Sequence, residues 1–168
     1  MAAIIIEGID GAGKSTLVER IKKSVPPHFD VVLTHKSQPK HKEADREYCY
    51  QLSWLRNNHF FIADRYHVGE MIYGPIYRSN SIVDEDAFDR IEQSLDKLNA
   101  VKVVLLPSKK TVKQRLKERG EDFLKPEYVD EVYNFYKDFL ANNPGWIKLE
   151  DNSKEIADSL VETAIRKG

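Results

Sequence analysis

Residues 8–15 combine side chains and spacing that suit the binding of nucleotide phosphates. They read Gly-Ile-Asp-Gly-Ala-Gly-Lys-Ser and match the phosphate-loop pattern G-x-x-x-x-G-K-[ST] at every fixed position. Because glycine has no side chain, the N–H groups of such a loop can approach a phosphate where a helix begins. Lys14 can bridge the β- and γ-phosphates, and the Ser15 hydroxyl can ligate Mg²⁺. The octet therefore predicts a nucleoside triphosphate site.

A second pair of charged residues directly follows an apolar stretch. Residues 60–63 read Phe-Phe-Ile-Ala, and Asp64 and Arg65 come next. Asp64 fits the second acidic position of phosphate-loop enzymes, which orders Mg²⁺ directly or through water. The planar guanidinium of Arg65 can hold a second phosphate. A surface ion pair or a helix cap is the structural alternative for this dipeptide.

Apolar stretches alternate with helical patterns along the chain, as a parallel sheet requires. The predicted strands are 2–7, 30–34, 60–64, 101–106 and 146–150, and the predicted helices are 14–24, 43–57, 84–98, 108–119, 126–141 and 154–166. Asp84, Ser108 and either Asn152 or Ser153 are the candidate helix caps. This alternation predicts one three-layer α/β/α domain over residues 1–168, built on a five-stranded parallel sheet. Ligands are then expected at the carboxyl ends of the strands.

Composition limits the classes of partner. The chain has 168 residues, 41% of them hydrophobic, which suits one domain with a single core. Its net charge of −1 gives no electrostatic reason to expect nucleic-acid or membrane binding. No export signal or membrane-spanning stretch is recognised, so we expect a cytoplasmic protein. Trp54, Trp146 and Cys49 are expected in or near the core.

Several motifs together resemble the thymidylate kinase family of P-loop nucleoside monophosphate kinases. They are residues 5–16, which contain the octet, and Asp64-Arg65-Tyr66. The weaker matches are Ala44-Asp45-Arg46, Tyr73, Arg115 and Arg119-Gly120. The likeness runs through nearly the whole chain, and it implies a P-loop kinase fold with a short lid at about 115–126.

The resemblance also implies residue roles. The acceptor nucleotide would contact Asp10, Lys36, Arg46, Arg65, Tyr66 and Tyr73. ATP would contact Gly8, Asp10, Gly11, Ala12, Gly13, Lys14, Ser15, Thr16 and Arg115. The catalytic residues would be Lys14, Asp64, Arg65 and Arg119, with Mg²⁺ at Ser15 and Asp64. Nucleotides are thus the expected partners, and a homodimer is a further implication.

Two departures from the family concern the acceptor. Residues 35–40 read His-Lys-Ser-Gln-Pro-Lys where the family has Arg-Glu-Pro-Gly-Gly, and Gly74-Pro75 follows Tyr73 where the family has glutamine. Residues 74–78 instead resemble phage-type deoxynucleoside monophosphate kinases. The expected activity is Mg-ATP-dependent phosphorylation of dTMP or of a broader set of deoxynucleoside monophosphates.

Two other functions remain compatible with the phosphate loop. In a deoxynucleoside or small-metabolite kinase, a carboxylate would act as base toward a neutral hydroxyl, and Glu7 at the end of the first strand is the candidate. The other is a nucleotide-switch ATPase. A monophosphate acceptor, by contrast, is already an anionic nucleophile and needs no base.

Overall fold

The structure, a computed structural model, describes residues 1–35, 44–119 and 124–168. The five strands are β1 Ala2–Glu7, β2 Asp30–His35, β3 His59–Asp64, β4 Val101–Leu105 and β5 Ile147–Leu149. The helices are α1 Lys14–Ser24, α2 Ala44–Ser53, α3 Val68–Arg78, α4 Glu85–Lys97, α5 Lys109–Arg119, α6 Val129–Asn142 and α7 Lys154–Lys167. A short 3₁₀ helix, Pro126–Tyr128, leads into α6.

The strands form a single parallel sheet in the order β2-β3-β1-β4-β5. β1 lies in the middle, and all six of its residues are buried, as the apolar sequence Ala-Ala-Ile-Ile-Ile predicts. The predicted five-stranded parallel sheet is therefore confirmed. Since Ile6 pairs in register with Asp64, the ends of β1 and β3 bring the phosphate loop and the Asp64-Arg65 pair to the same edge.

Helices cover the sheet in two groups. α1 packs against α7, and α7 also contacts β1 and β4, while α2 packs against α4 and α3 against α6. The helix predicted over 126–141 contributes Val132, Tyr136 and Phe139 to the core. Trp146 is also buried, with 5% of its surface exposed. Buried residues of the strands and of these helices thus form one hydrophobic core.

α3 is the helix that the sequence prediction lacks. It contains Gly69, Gly74 and Pro75, which are poor residues for a helix interior. Its apolar residues nevertheless recur at helical spacing, and Val68 and Ile72 are buried. Packing of this face against the core therefore overrides the weak local propensity.

Gly74 lets α3 approach the segment that follows it. A Cβ at this position would lie 2.8 Å from the Asn80 carbonyl oxygen, 3.0 Å from the Ser81 Cα and 2.7 Å from Glu70 Oε1. Two of these atoms are backbone, so they cannot move aside cheaply. A glutamine at this position, as in the thymidylate kinase family, would not fit without displacing residues 79–82.

We expect Gly74→Ala to lower the free energy of unfolding by about 1–3 kcal/mol, the usual cost of overpacking. Helix propensity alone predicts the opposite sign, a gain of about 1 kcal/mol. Urea denaturation measures the difference. Gly145→Ala is the matched control, because its Cβ would meet nothing nearer than Lys102 Nζ at 3.8 Å. A Gly74→Ala protein as stable as the parent would contradict this packing.

The predicted caps are found at three helices. Asp84 accepts a hydrogen bond from Ala87 N–H at 2.8 Å, and Ser108 accepts one from Thr111 N–H at 3.2 Å. At α7 the cap is Ser153, which accepts from Ile156 N–H at 3.4 Å. The other candidate, Asn152, instead donates its amide N–H to the Gly13 carbonyl.

Trp54 corrects one expectation about the core. It lies just beyond α2 with 64% of its surface exposed, and Tyr50, 63% exposed, lies 5.6 Å from it between ring centroids. The expected core position for Trp54 is wrong because α2 ends at Ser53 and its other face packs on α4.

The homodimer stays a prediction. No helix in the described parts of the chain combines the length and apolarity needed to cross a membrane.

Candidate functional site

The phosphate loop connects β1 to α1 and adopts the backbone geometry that its glycines permit. Gly8, Gly11 and Gly13 have φ angles of 141°, 78° and 100°, which residues with a side chain rarely adopt. Gly8 also packs against β4, since a Cβ there would lie 2.3 Å from the Leu105 carbonyl oxygen. Ser15 and Thr16 are exposed in the first turn of α1. The loop thus has the predicted strand before it and the predicted helix after it.

Lys14 is buried at the base of this loop. Its Nζ donates to the carbonyl oxygens of Gly8 at 2.8 Å and Ile9 at 3.0 Å, and lies 3.9 Å from Asp10 Oδ1. Burial, together with the smaller effect of the nearby Arg65, lowers the pKa of the ammonium to about 8. A phosphate would offer this ammonium stronger acceptors than the two carbonyls do.

Asp10, Arg65 and Tyr73 form a connected group at the ends of β1 and β3. The Arg65 guanidinium forms an ion pair with Asp10 Oδ1 and lies 5.5 Å from the centroid of the Tyr73 ring. The Tyr73 hydroxyl accepts a hydrogen bond from the Asp10 N–H at 3.2 Å. Three residues predicted to contact the acceptor are thus brought together. The Asp10 side chain is also left with a buried oxygen, Oδ2, that has no hydrogen-bond partner among the described residues.

Asp64 has one oxygen free to bind a cation. Its Oδ2 lies 3.2 Å from His35 Nδ1, whereas its buried Oδ1 has no hydrogen-bond partner among the residues described. Both side chains line the same small cleft as Ser15 and Lys14. An unpaired buried carboxylate oxygen beside an exposed hydroxyl fits a hard divalent cation, which prefers oxygen ligands. In the described parts of the chain, no cluster of three or more His, Cys, Asp or Glu side chains could hold a metal by itself.

Glu7 is fully buried beneath the segment after β3. Its Oε1 accepts hydrogen bonds from the backbone N–H groups of Tyr66 at 2.8 Å and Val68 at 3.1 Å. The Tyr136 hydroxyl donates to Oε2 at 3.4 Å. Burial raises the pKa of the Glu7 carboxyl, and this rise is opposed by His67 and by the backbone N–H groups of Tyr66 and Gly69. Glu7 therefore contacts backbone groups and lies out of reach of solvent.

A second cleft, of about 380 Å³, lies on the other side of the phosphate loop. Arg115 lines it and donates to the Ala12 carbonyl at 2.7 Å. Asn152 also lines it and donates to the Gly13 carbonyl at 3.0 Å. Arg20 holds the Asn152 side chain by donating to its Oδ1 at 2.8 Å. The wall of this cleft thus contains four of the residues predicted to contact ATP, namely Gly11, Gly13, Thr16 and Arg115, together with Asn152, which was not predicted.

Arg119 lines both clefts at the end of α5. It is the last described residue before residues 120–123, so the middle of the predicted lid at about 115–126 lies outside the described residues. Beyond that gap, Lys125 N–H donates to the Tyr77 hydroxyl at 3.4 Å, and the Tyr77 ring is parallel to that of Tyr73 at 6.4 Å. The end of the lid segment is thus connected to the group around Arg65.

Of the remaining predicted acceptor residues, the structure describes Arg46 and Tyr66. Lys36 is outside the described residues. Arg46 is exposed on α2 and does not line either of the two clefts. Tyr66 is buried, and its hydroxyl donates to the Tyr48 carbonyl at 2.6 Å. The Tyr66 side chain therefore packs α2 against the end of β3 instead of facing the clefts.

Sequence reasoning missed His35 and Asn152, which line the two clefts. His35 ends β2, and its position beside Asp64 follows from the parallel register of β2 and β3. The sequence therefore contains a signal for His35, because the carboxyl ends of predicted parallel strands lie at the same edge of the sheet. Asn152 reaches the site only through tertiary packing, for which the sequence has no local pattern.

No protein-family model matches the chain. The chain is 24% identical over 165 residues to the SPbeta prophage-derived protein YorR of Bacillus subtilis strain 168, covering 96% of this chain and 98% of YorR. The crystal structure of YorR in complex with phosphorylated GDP superposes with a TM-score of 0.75 at 21% identity, over 95% of this chain and 94% of that one.

Two kinases share the fold at similar identity. Polyphosphate kinase 2 from Arthrobacter aurescens TC1 has a TM-score of 0.70 and 19% identity over 97% of this chain and 66% of its own. Deoxyadenosine kinase from M. mycoides with bound dCTP has a TM-score of 0.53 and 20% identity over 98% of both chains. These likenesses confirm the P-loop kinase fold predicted from the sequence. They do not single out the thymidylate kinase family.

Proposed function

We propose that this protein transfers the γ-phosphoryl group of ATP to a nucleoside monophosphate and produces the diphosphate. The acceptors are dTMP or a broader set of deoxynucleoside monophosphates. The observation that carries the proposal is the position of Arg65 beside Asp10, in the cleft that Lys14 and Ser15 also line. A guanidinium next to a phosphate loop supplies the second phosphate site that a monophosphate acceptor requires.

The similar proteins support a nucleotide ligand. YorR was crystallised with phosphorylated GDP, and the deoxyadenosine kinase with dCTP. The proposal extends that ligand class to this chain, whose cleft at Thr16, Arg115 and Asn152 would take the ATP base and ribose. It leaves the cleft around Arg65 for the acceptor.

Catalysis in this proposal consists of alignment and charge neutralisation. Ser15 and Asp64 would hold Mg²⁺, which neutralises charge on the β- and γ-phosphates when bound. Lys14 would move from the Gly8 and Ile9 carbonyls to the phosphates. Arg65 would hold the acceptor phosphate, and Arg119, which lines both clefts, would stabilise the transferring group.

A nucleoside kinase is less well supported because its candidate base is occupied. Such an enzyme needs a carboxylate that can reach a neutral hydroxyl. The Glu7 side chain is buried and accepts two backbone N–H groups. It would have to break both bonds before it could act as a base.

One panel assay tests the proposal. The purified protein is mixed with Mg²⁺, with either ATP or polyphosphate as donor, and with each common nucleoside and nucleoside monophosphate in turn. Chromatography of the products identifies the phosphorylated species. We expect diphosphates from one or more deoxynucleoside monophosphates with ATP, no product after chelation of Mg²⁺, and slow ATP hydrolysis without acceptor.

Other product patterns would contradict specific parts of the proposal. Phosphorylation of nucleosides without monophosphates would replace it by the nucleoside kinase. Rapid ATP hydrolysis that no acceptor changes would favour the ATPase. Turnover with polyphosphate and not with ATP would contradict the assignment of ATP as the phosphoryl donor.

A further inference from the structure

We propose that Glu7 is a positioning residue that fixes the turn at Arg65 and thereby aims the acceptor-binding guanidinium. The inference rests on the proposed role of Arg65 in holding the acceptor phosphate. It assigns Glu7 a task that depends on the reach of its carboxylate, whereas a catalytic base would depend on its charge. The two tasks make opposite predictions for conservative variants.

Arg65 has a backbone conformation that needs external support. Its φ angle is 65°, in the left-handed region that residues with a Cβ rarely occupy. On its amino side the backbone is fixed by β1, since the Arg65 N–H donates to the Ile6 carbonyl at 2.9 Å. Support on its carboxyl side has to come from elsewhere, because β3 ends at Asp64.

Glu7 supplies that support from the next residue of β1. Its Oε1 accepts the N–H groups of Tyr66 and Val68, the first and third residues after Arg65, at 2.8 and 3.1 Å. The side chain has no exposed surface, and Val68, also fully buried, is the first residue of α3. One carboxylate oxygen therefore fixes both the exit from the left-handed turn and the start of α3.

The segment after Arg65 is packed too closely on the Glu7 side chain to follow a different backbone path. A Cβ on Gly69 would lie 3.2 Å from Glu7 Oε2 and 3.5 Å from the Tyr136 hydroxyl. The segment after Arg65 is thus packed closely on the Glu7 carboxylate. We call the hydrogen bonds from the Tyr66 and Val68 N–H groups to Glu7 the clamp. Because this turn aims Arg65 at Asp10, loss of the clamp would move the guanidinium away from the phosphate loop.

Two conservative variants separate reach from charge. Glu7→Gln keeps the length of the side chain, and its amide oxygen can still accept both N–H groups. Glu7→Asp keeps the charge but is one methylene shorter, so its carboxylate cannot accept both groups from the same backbone position. Tyr136→Phe is the matched control, because it removes only the 3.4 Å contact to Oε2.

The first measurement is amide hydrogen exchange at Tyr66 and Val68 by NMR, which does not require turnover. We expect protection in the parent, in Glu7→Gln and in Tyr136→Phe, and faster exchange at both amides in Glu7→Asp. Unchanged protection in a folded Glu7→Asp protein would overturn the clamp. If the parent protein phosphorylates no nucleotide, the proposed function is refuted. Amide exchange still tests the role of Glu7 in that case, because it does not depend on turnover.

The second measurement is steady-state kinetics with the best monophosphate from the panel. We expect Glu7→Gln to keep kcat/KM for the monophosphate within about threefold of the parent, because the clamp persists. Glu7→Asp should lose on the order of 10- to 100-fold, the effect of a misplaced group, while KM for ATP stays unchanged. The reverse order, with Glu7→Asp more active than Glu7→Gln, would overturn the proposal in favour of a charge-dependent role.

Discussion

An Arg65→Ala variant is expected to lose on the order of 10²–10³-fold in kcat/KM for the monophosphate acceptor, the usual effect of removing a cation that stabilises a transition state. The Arg65 guanidinium lies beside Asp10 in the cleft and is proposed to hold the acceptor phosphate. KM for ATP should change little, because the proposed ATP base site lies on the other side of the phosphate loop. Steady-state kinetics with each substrate varied in turn measures both effects.

Two further variants make the Arg65 experiment interpretable. Arg65→Lys keeps the charge but lacks the planar fork, so an intermediate rate is expected. Arg90→Ala removes an arginine whose exposed side chain pairs with Asp45 on α2, and it should be fully active. Circular dichroism checks the fold, since Arg65→Ala also leaves the buried Asp10 without this partner. A folded Arg65→Ala protein with parental rates on every monophosphate would refute the assignment.

A Lys14→Ala variant should likewise lose on the order of 10²–10³-fold in turnover. The Lys14 ammonium is buried at the centre of the phosphate loop, where the low dielectric strengthens its interaction with a phosphate. The loss should be found with every acceptor and every donor, because Lys14 would contact phosphates common to all of them. This pattern distinguishes it from Arg65→Ala, whose effect should depend on the acceptor.

Lys22 provides the control for Lys14. It lies on the same helix, α1, is 37% exposed and pairs with Glu19, so Lys22→Ala should retain parental kinetics. Single-turnover measurements separate binding from the chemical step. Parental turnover in Lys14→Ala with folding confirmed would remove the phosphate loop from the mechanism.

The strands were predictable because their physical causes are local. Near-continuous apolar stretches such as β1 and β3 indicate strands buried on both faces, and all five predicted strands are present. α3 was missed for the opposite reason, since Gly69, Gly74 and Pro75 suppress the local helix signal and tertiary packing restores it. The exposed position of Trp54 likewise depends on which face of α2 finds a partner.

The site was predictable where strand ends determine it. Asp10 and Arg65 follow neighbouring parallel strands, so their proximity follows from the sheet, and they form an ion pair. The clamp by Glu7 was not predictable, because the sequence alone also allows Glu7 to be a free base. The Tyr66 side chain was expected at the acceptor and is instead bonded to Tyr48, a contact between segments that no local pattern connects.

The phosphate loop is near the start of the chain, yet residues made much later brace it. The Asn152 amide bonds to Gly13 across 139 residues of sequence, and Arg115 bonds to Ala12 across 103. During synthesis, the loop leaves the ribosome well before either partner exists, and closing such long loops is slow. The cleft proposed to hold ATP is therefore completed late in folding. A nascent chain cannot form this cleft in full until β5 and the residues after it have docked.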